Sequence, residues 1–295
     1  MTSFRRWRDY VGSRFGAGSA GLGAAFFLGN ALLAAGLTGS WPEPATVAAG
    51  AIATILIFLR LRIFDDLKDA ARDRREHPER PLASGEMTAR EARVGAVVVA
   101  GCEMAAVAEA GPSAVLAWGL VAAYSLLMLR EFFLGRWLRP RMELYAFAHT
   151  LIAAWLGWLA AAVATGRAPW ELPGPVLFAG LLNWTTFNVF ELARKSRAPE
   201  EERPRSPSYS RRLRPAGAAG LALSQALVAC AAAAWLLGAR GAAGAALLGG
   251  AAAVLAAAYA SRPSRARLYR AGMTVFQVAI YALLALTAAA QGGTS

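Results

Sequence analysis

The residues best suited to chemistry in this 295-residue chain form one short run, DDLKDAARD, at positions 65 to 73. Asp66, Asp69 and Asp73 follow an i, i+3, i+7 spacing. At roughly 100° per residue they fall within about 60° of one another on a helix, and Asp65 flanks that face. Carboxylates so placed repel one another unless a cation intervenes. Mg²⁺ is the natural partner: it takes one or two carboxylates, keeps waters, and completes its shell with phosphate oxygens. Lys68, Arg72 and Arg80 are placed to hold phosphate, arginine through its two-pronged guanidinium. The competing reading is a solvated charged face with Lys68, Arg72, Arg74 and Arg75 as counter-charges. The run directly ends an apolar helix, where acids are costly and usually functional, and this favours the metal reading.

The elements that must position these acids are membrane helices. Apolar residues make up 57% of the chain, and nine apolar runs recur, at about 17–37, 45–63, 88–110, 112–130, 143–163, 174–193, 215–237, 241–260 and 270–290. Each approaches the length of roughly 20 residues that a helix needs to cross a hydrocarbon core of about 30 Å. One membrane domain spanning residues 1–295 is the simplest partition. The formal charge of +12 does not mark a nucleic-acid binder. Of the 31 lysines and arginines, all but Arg167 and Arg240 lie in the N-terminal tail or at the even-numbered loops and their flanking helix ends. That asymmetry predicts a cytoplasmic N-terminus and an external C-terminus in a nine-helix protein that also meets anionic lipid.

Cys102 and Cys230 sit inside apolar runs as small hydrophobes, and two histidines with no clustered thiols argue against a zinc or haem centre. The long loops after the second and sixth runs echo each other: RIFDDLKDAARDRREHPERP and NVFELARKSRAPEEERPRSP both pass from an apolar helix through an Ile/Val-Phe-acid step to Glu-Arg-Pro. The echo suggests two facing half-sites. Glu103, deep in the third run, needs a partner, and a protonated, hydrogen-bonded structural role is expected. His149, in the apolar fifth run, reads as a satisfied core histidine, with a general base towards a phenolic acceptor as the alternative.

The stretch DDLKDAARDRREHPERPLASGEMTAREA closely resembles the first signature of the UbiA superfamily of membrane prenyltransferases. The matching elements are Asp65, Asp66, Asp69 and Asp73, followed by Arg80-Pro81-Leu82-Ala83-Ser84-Gly85 at the start of the next helix. The resemblance implies an all-α bundle of nine transmembrane helices around a central cavity open to the cytoplasmic side. It further implies Mg²⁺ held by Asp65, Asp66, Asp69, Asp73 and Glu191, with Asp66, Asp69 and Asp73 as the catalytic set. The expected substrate is an isoprenyl diphosphate, ionised and transferred to an aromatic or lipid-like acceptor.

The second signature departs from the pattern. NWTTFNVFELARKSRAPEEE offers Glu191 as its one clearly placed acid, with Arg194 and Lys195 where a second aspartate is common. Cations there suit direct contact with diphosphate, as does Asn188. Glu200, Glu201 and Glu202 are a further source of oxygens or a solvated acidic run. A third family element, a tyrosine followed by a basic residue, is matched by Tyr124 and Arg130. Either these bind substrate, or they are an interfacial aromatic and a topology charge. Two rivals stand beside the transferase: a terpene cyclase that closes the cation on its own chain, and a transporter of an anionic or lipid substrate. The transporter is disfavoured because the acids lie at one face instead of the bilayer midplane.

Overall fold

The computed structural model describes residues 3–203 and 206–292, and among these there are helices and turns but no strands. In chain order the helices are α1 (Ser3–Arg14), α2 (Gly16–Thr38), α3 (Pro44–Glu76), α4 (Pro81–Ser84), α5 (Ala89–Ala108), α6 (Pro112–Leu129), α7 (Gly135–Leu138), α8 (Met142–Thr150), α9 (Ile152–Thr165), α10 (Gly174–Arg194), α11 (Tyr209–Ser261) and α12 (Ala266–Gly292). Seven helical segments among the described residues are long and apolar enough to cross a membrane. The nine apolar runs map onto these seven plus two special cases. Runs 215–237 and 241–260 are the two arms of α11, whose helical geometry breaks at Gly238 (φ 62°, ψ −156°). Gly249 returns against Leu227 and Cys230, with room for a Cβ only 3.6 and 3.7 Å from them, so the arms are antiparallel. Run 88–110 is α5, 20 residues long, which carries Arg90, Glu91, Arg93 and Glu103 and packs along α3.

The length of α3 positions the aspartates. Its 33 residues rise about 50 Å, more than the hydrocarbon core requires, so the turns bearing DDLKDAARD continue beyond it as unbroken helix. Its start is set by Pro44 at the first turn, where a missing N–H costs nothing.

Small residues and amide pairs close the bundle where lipid offers no hydrophobic contrast. At Gly29 a Cβ would sit 2.8 Å from the Tyr281 carbonyl oxygen, so α2 and α12 touch backbone to backbone. Asn30 and Asn183 exchange amide hydrogen bonds of 2.7 and 3.2 Å between α2 and α10. Phe26, Phe58, Phe187 and Tyr281, from α2, α3, α10 and α12, form a ring cluster with centroids 5.0–6.1 Å apart.

Glu103 has the partner it needs in Arg60 of α3. Arg60 donates to both carboxylate oxygens (2.8 and 3.0 Å), Trp118 donates at 3.0 Å, and the same guanidinium reaches Ser125 at 2.5 Å. The ion pair ties α3, α5 and α6 together in the apolar interior.

Gly238 occupies a backbone region that only glycine enters freely. Replacing it with alanine is expected to cost about 1–3 kcal/mol, read as a fall in melting temperature in detergent. Gly250→Ala, where nothing lies within 4 Å, is the neutral or stabilising control.

Candidate active site

Asp66 is buried, and its carboxylate is fully occupied. Arg14 grips it with a two-pronged contact, Nε to Oδ2 at 3.0 Å and Nη2 to Oδ1 at 2.7 Å. The Tyr10 hydroxyl donates at 3.0 Å and Arg62 at 2.9 Å. Four donors meet the roughly four lone-pair sites of a carboxylate, leaving none for a metal ion. Burial, with Asp66 alongside, pushes the Tyr10 hydroxyl well above its usual titration range, so it remains a donor. Tyr10 and Arg14 stand i, i+4 on α1, which explains why both reach one carboxylate. α1 is docked further by Arg6 on Glu91 (2.6 Å) and by the Trp7 ring, which lies where a Cβ on Gly95 would be. The i, i+4 spacing of Tyr10 and Arg14 was the signal in the sequence for this contact.

Asp73 is held from the other direction. Arg80 donates to Oδ2 at 2.7 Å, while Oδ1 is buried with no hydrogen-bond partner. The RPLASG element sets that contact. Arg80 is extended before Pro81, which opens α4, and its carbonyl accepts from Ala83 and Ser84 at 2.9 and 2.8 Å. Gly85 then closes the turn with a left-handed φ of 86° that other residues adopt at a cost. A cleft of about 440 Å³ lies between this loop and α1, with Arg14 and Arg80 on its walls.

Asp65 and Asp69 are bound far more loosely. Asp65 is about half exposed and accepts from Lys68 at 3.1 Å; Asp69 accepts from Arg72 at 2.7 Å. Both are i, i+3 contacts within one helix, worth only a few tenths of a kcal/mol. A small cavity of about 20 Å³, the size of one water, borders Asp65, Lys68 and Ser125. Lys68 is itself mostly buried, with Nζ 5.6 Å from the centre of the Tyr145 ring on α8.

The end of α10 faces this group, and Asp65 lies within electrostatic reach of Arg194. Glu191, mostly buried, is ion-paired to Arg194 and to Lys195 (2.7 Å), so its charge is met by its own helix end. The acidic run that follows is structural. Glu201 takes two hydrogen bonds from Arg270 (2.7 and 2.8 Å), which together hold its carboxyl down at about 2, and Glu202 accepts from Ser208 and Ser210.

The remaining expected residues lie elsewhere. Tyr124 donates to the Ala148 carbonyl at 2.7 Å, an oxygen freed by the break between α8 and α9, and packs on Phe132 and Trp155. Arg130 is exposed at the end of α6. Asn188 is buried with its amide spent on Gln225 (3.0 Å) and on Thr150, bridging α10 to α11 and α8.

The donors present fit a hard cation. Among the described residues no three acids converge into a ready-made cage, but Mg²⁺ does not require one, because waters and phosphate oxygens complete its shell. Asp65 and Asp69 offer lightly held oxygens, and the unpartnered Oδ1 of Asp73 is one turn further along. Asp66 does not belong to this set. Because its pair with Arg14 is buried, Arg14→Gln and Asp66→Asn are each expected to destabilise the protein by about 3 kcal/mol. The double variant should cost clearly less than the sum. Thermal unfolding of the four proteins in detergent checks this; additive losses would contradict the clamp.

Comparison with known proteins identifies the fold and the family. No curated protein matches the chain. Among solved structures, a UbiA homologue from Aeropyrum pernix K1 without ligand superposes with a TM-score of 0.66 at 19% identity, over 90% of this chain and 96% of its own. A digeranylgeranylglyceryl phosphate synthase superposes at 0.65 and 11% identity, over 96% and 99%. A UbiA homologue from Archaeoglobus fulgidus bound to GPP and Mg²⁺ does so at 0.51 and 14%, over 88% and 96%. These likenesses establish a shared fold. The sequence itself matches the UbiA prenyltransferase family over residues 22–276, and the chain, an integral membrane protein, belongs to that family.

Proposed function

We propose that this protein ionises an isoprenyl diphosphate with the help of Mg²⁺ and transfers the prenyl group to an aromatic or lipid-like acceptor. The observation that carries the reading is the uneven commitment of the aspartates. Asp66 and Asp73 are locked to arginines from other segments, whereas Asp65 and Asp69 keep only weak partners, and Asp65 lies within electrostatic reach of Arg194 at the end of α10. The bound GPP and Mg²⁺ of the Archaeoglobus fulgidus relative support the same ligand classes.

In this reading Mg²⁺, when bound, supplies positive charge to the departing diphosphate. Asp65, Asp69 and Asp73, whose Oδ1 is unpartnered, would hold it. Lys68, Arg72, Arg194 and Lys195 take the remaining diphosphate oxygens, and Glu191 keeps the last two in place. Arg80 fixes Asp73 and stands at the cleft edge. The half-buried Phe58 and Phe187 rings, with Phe26 and Tyr281 behind them, line the path of the prenyl chain and shelter positive charge from water. α5 and both arms of α11 complete nine crossings of one domain in a cytoplasmic membrane of the bacterial type. The N-terminus and the site face the cytoplasm.

Purified protein incubated with geranyl, farnesyl and geranylgeranyl diphosphates and Mg²⁺ tests the reading, without acceptor and with a phenol, a naphthoate and a lipid alcohol. Diphosphate release dependent on acceptor and on Mg²⁺ is expected. Cyclic products without acceptor would replace the transferase by a cyclase, and no release with any substrate would exclude both. Asp69→Ala is expected to lower turnover at least about a hundred-fold, and wild-type rates in that variant would refute the metal assignment.

A further inference from the structure

Capture of an allylic cation by a neutral O–H or aromatic C–H acceptor releases a proton, and no side chain assigned so far takes it from the acceptor. His149 on α8 has the features of such an acceptor. Its Nδ1 lies 2.7 Å from the Tyr145 carbonyl oxygen. A carbonyl only accepts, so Nδ1 carries the hydrogen and Nε2 carries a free lone pair. That Nε2 is buried and has no hydrogen-bond partner. An unpartnered acceptor in an apolar interior is costly, so its retention asks for a donor that arrives with the substrate.

The ring is also held rigidly. Tyr145 stacks on one face at 4.0 Å, and Phe132 meets it edge-on at 5.3 Å. Phe132 reaches that position through an unusual turn: Glu131, Phe132 and Phe133 are three consecutive non-glycine residues at φ 50°, 55° and 58°. Left-handed conformations cost about 1–2 kcal/mol each, and such strain gathers where a functional group must be placed. Lys68 Nζ stands 5.6 Å from the centre of the same Tyr145 ring, and Lys68 and Asp65 of α3 and Glu131 of the turn are the charged groups within electrostatic reach of the histidine. His149 therefore borders the diphosphate-holding wall without belonging to it.

We infer that His149 Nε2 is the base that removes the proton from the acceptor. The assignment rests on the transferase reading above. The allylic C–O bond breaks with its electron pair leaving on the diphosphate. The acceptor oxygen or ring carbon supplies the pair for the new bond to the prenyl carbon, and the proton it loses passes to Nε2. The imidazolium, within electrostatic reach of Asp65 and Glu131, then returns that proton to the departing diphosphate. The acceptor implied is an apolar molecule bearing one O–H, or an aromatic C–H activated by it, that reaches the ring from the side of Lys68.

His149→Asn is the direct test, because the asparagine amide preserves a donor near the Tyr145 carbonyl while removing the ring nitrogen; His149→Gln is measured beside it. With the prenyl diphosphate and acceptor that the wild type turns over, kcat is expected to fall at least about a hundred-fold. The KM for the diphosphate and the half-saturating Mg²⁺ concentration should stay within about twofold. Rescue of His149→Ala by added imidazole is a further expected sign, one that a packing role would not produce. Turnover within about threefold of wild type in His149→Asn would overturn the inference while leaving the functional reading intact. Loss of prenyl-diphosphate protection against thermal unfolding in both variants would make His149 a packing residue and equally overturn it. Absence of diphosphate release by the wild-type protein would remove the functional reading, and this inference with it.

Discussion

A charge carried on a membrane helix must be neutralised, and the way this chain neutralises each carboxylate determines which segments meet. Glu103 draws α5 and α6 onto Arg60 of α3. Asp66 draws α1 onto the same helix through Arg14 and Tyr10, and Asp73 draws back the loop that carries Arg80. α3 is thus the spine to which neighbouring segments are tied by ion pairs at several heights. Breaking any one of the buried pairs would strand a charge in a poorly solvating interior, which costs more than the pair itself contributes.

Against that background Asp65 and Asp69 are exceptions. Their counter-ions stand three residues along the same helix, and such i, i+3 pairs stabilise by a small fraction of what a buried pair between segments does. On the proposed reading a divalent cation would displace such partners at little cost, and Lys68 and Arg72 would then be free for phosphate oxygens. The same economy applies across the site, where Arg194 and Lys195 share one glutamate. Both halves hold their charges in reserve, while the clamps behind them keep the helix end from moving.

Much of this was legible in the sequence because it depends on spacing and length. The apolar runs gave the helix positions closely, the excess length of α3 followed from an apolar run continuing into DDLKDAARD, and RPLASG announced a proline-opened, glycine-closed turn. The roles within the aspartate run were less legible. Asp66, Asp69 and Asp73 do share one face, but α1 folds back over the edge at Asp66 and withdraws it, and that contact spans 52 positions in sequence. Asn188 was expected at the substrate and is instead an amide bridge between helices, because its partners on α8 and α11 are distant in the chain. The left-handed turn at Glu131–Phe133 had no signal at all, since it contains no glycine to mark it.

The central claim is that Asp65 and Asp69 hold the metal while Asp66 holds α1. Electron paramagnetic resonance of Mn²⁺ in place of Mg²⁺, with a non-hydrolysable prenyl diphosphate analogue, addresses it directly. Protein-bound Mn²⁺ is predicted to form with the analogue, to be lost in Asp65→Ala and Asp69→Ala, and to persist in Asp66→Asn. Loss of the signal in properly folded Asp66→Asn, or its survival in Asp65→Ala and Asp69→Ala, would contradict the account.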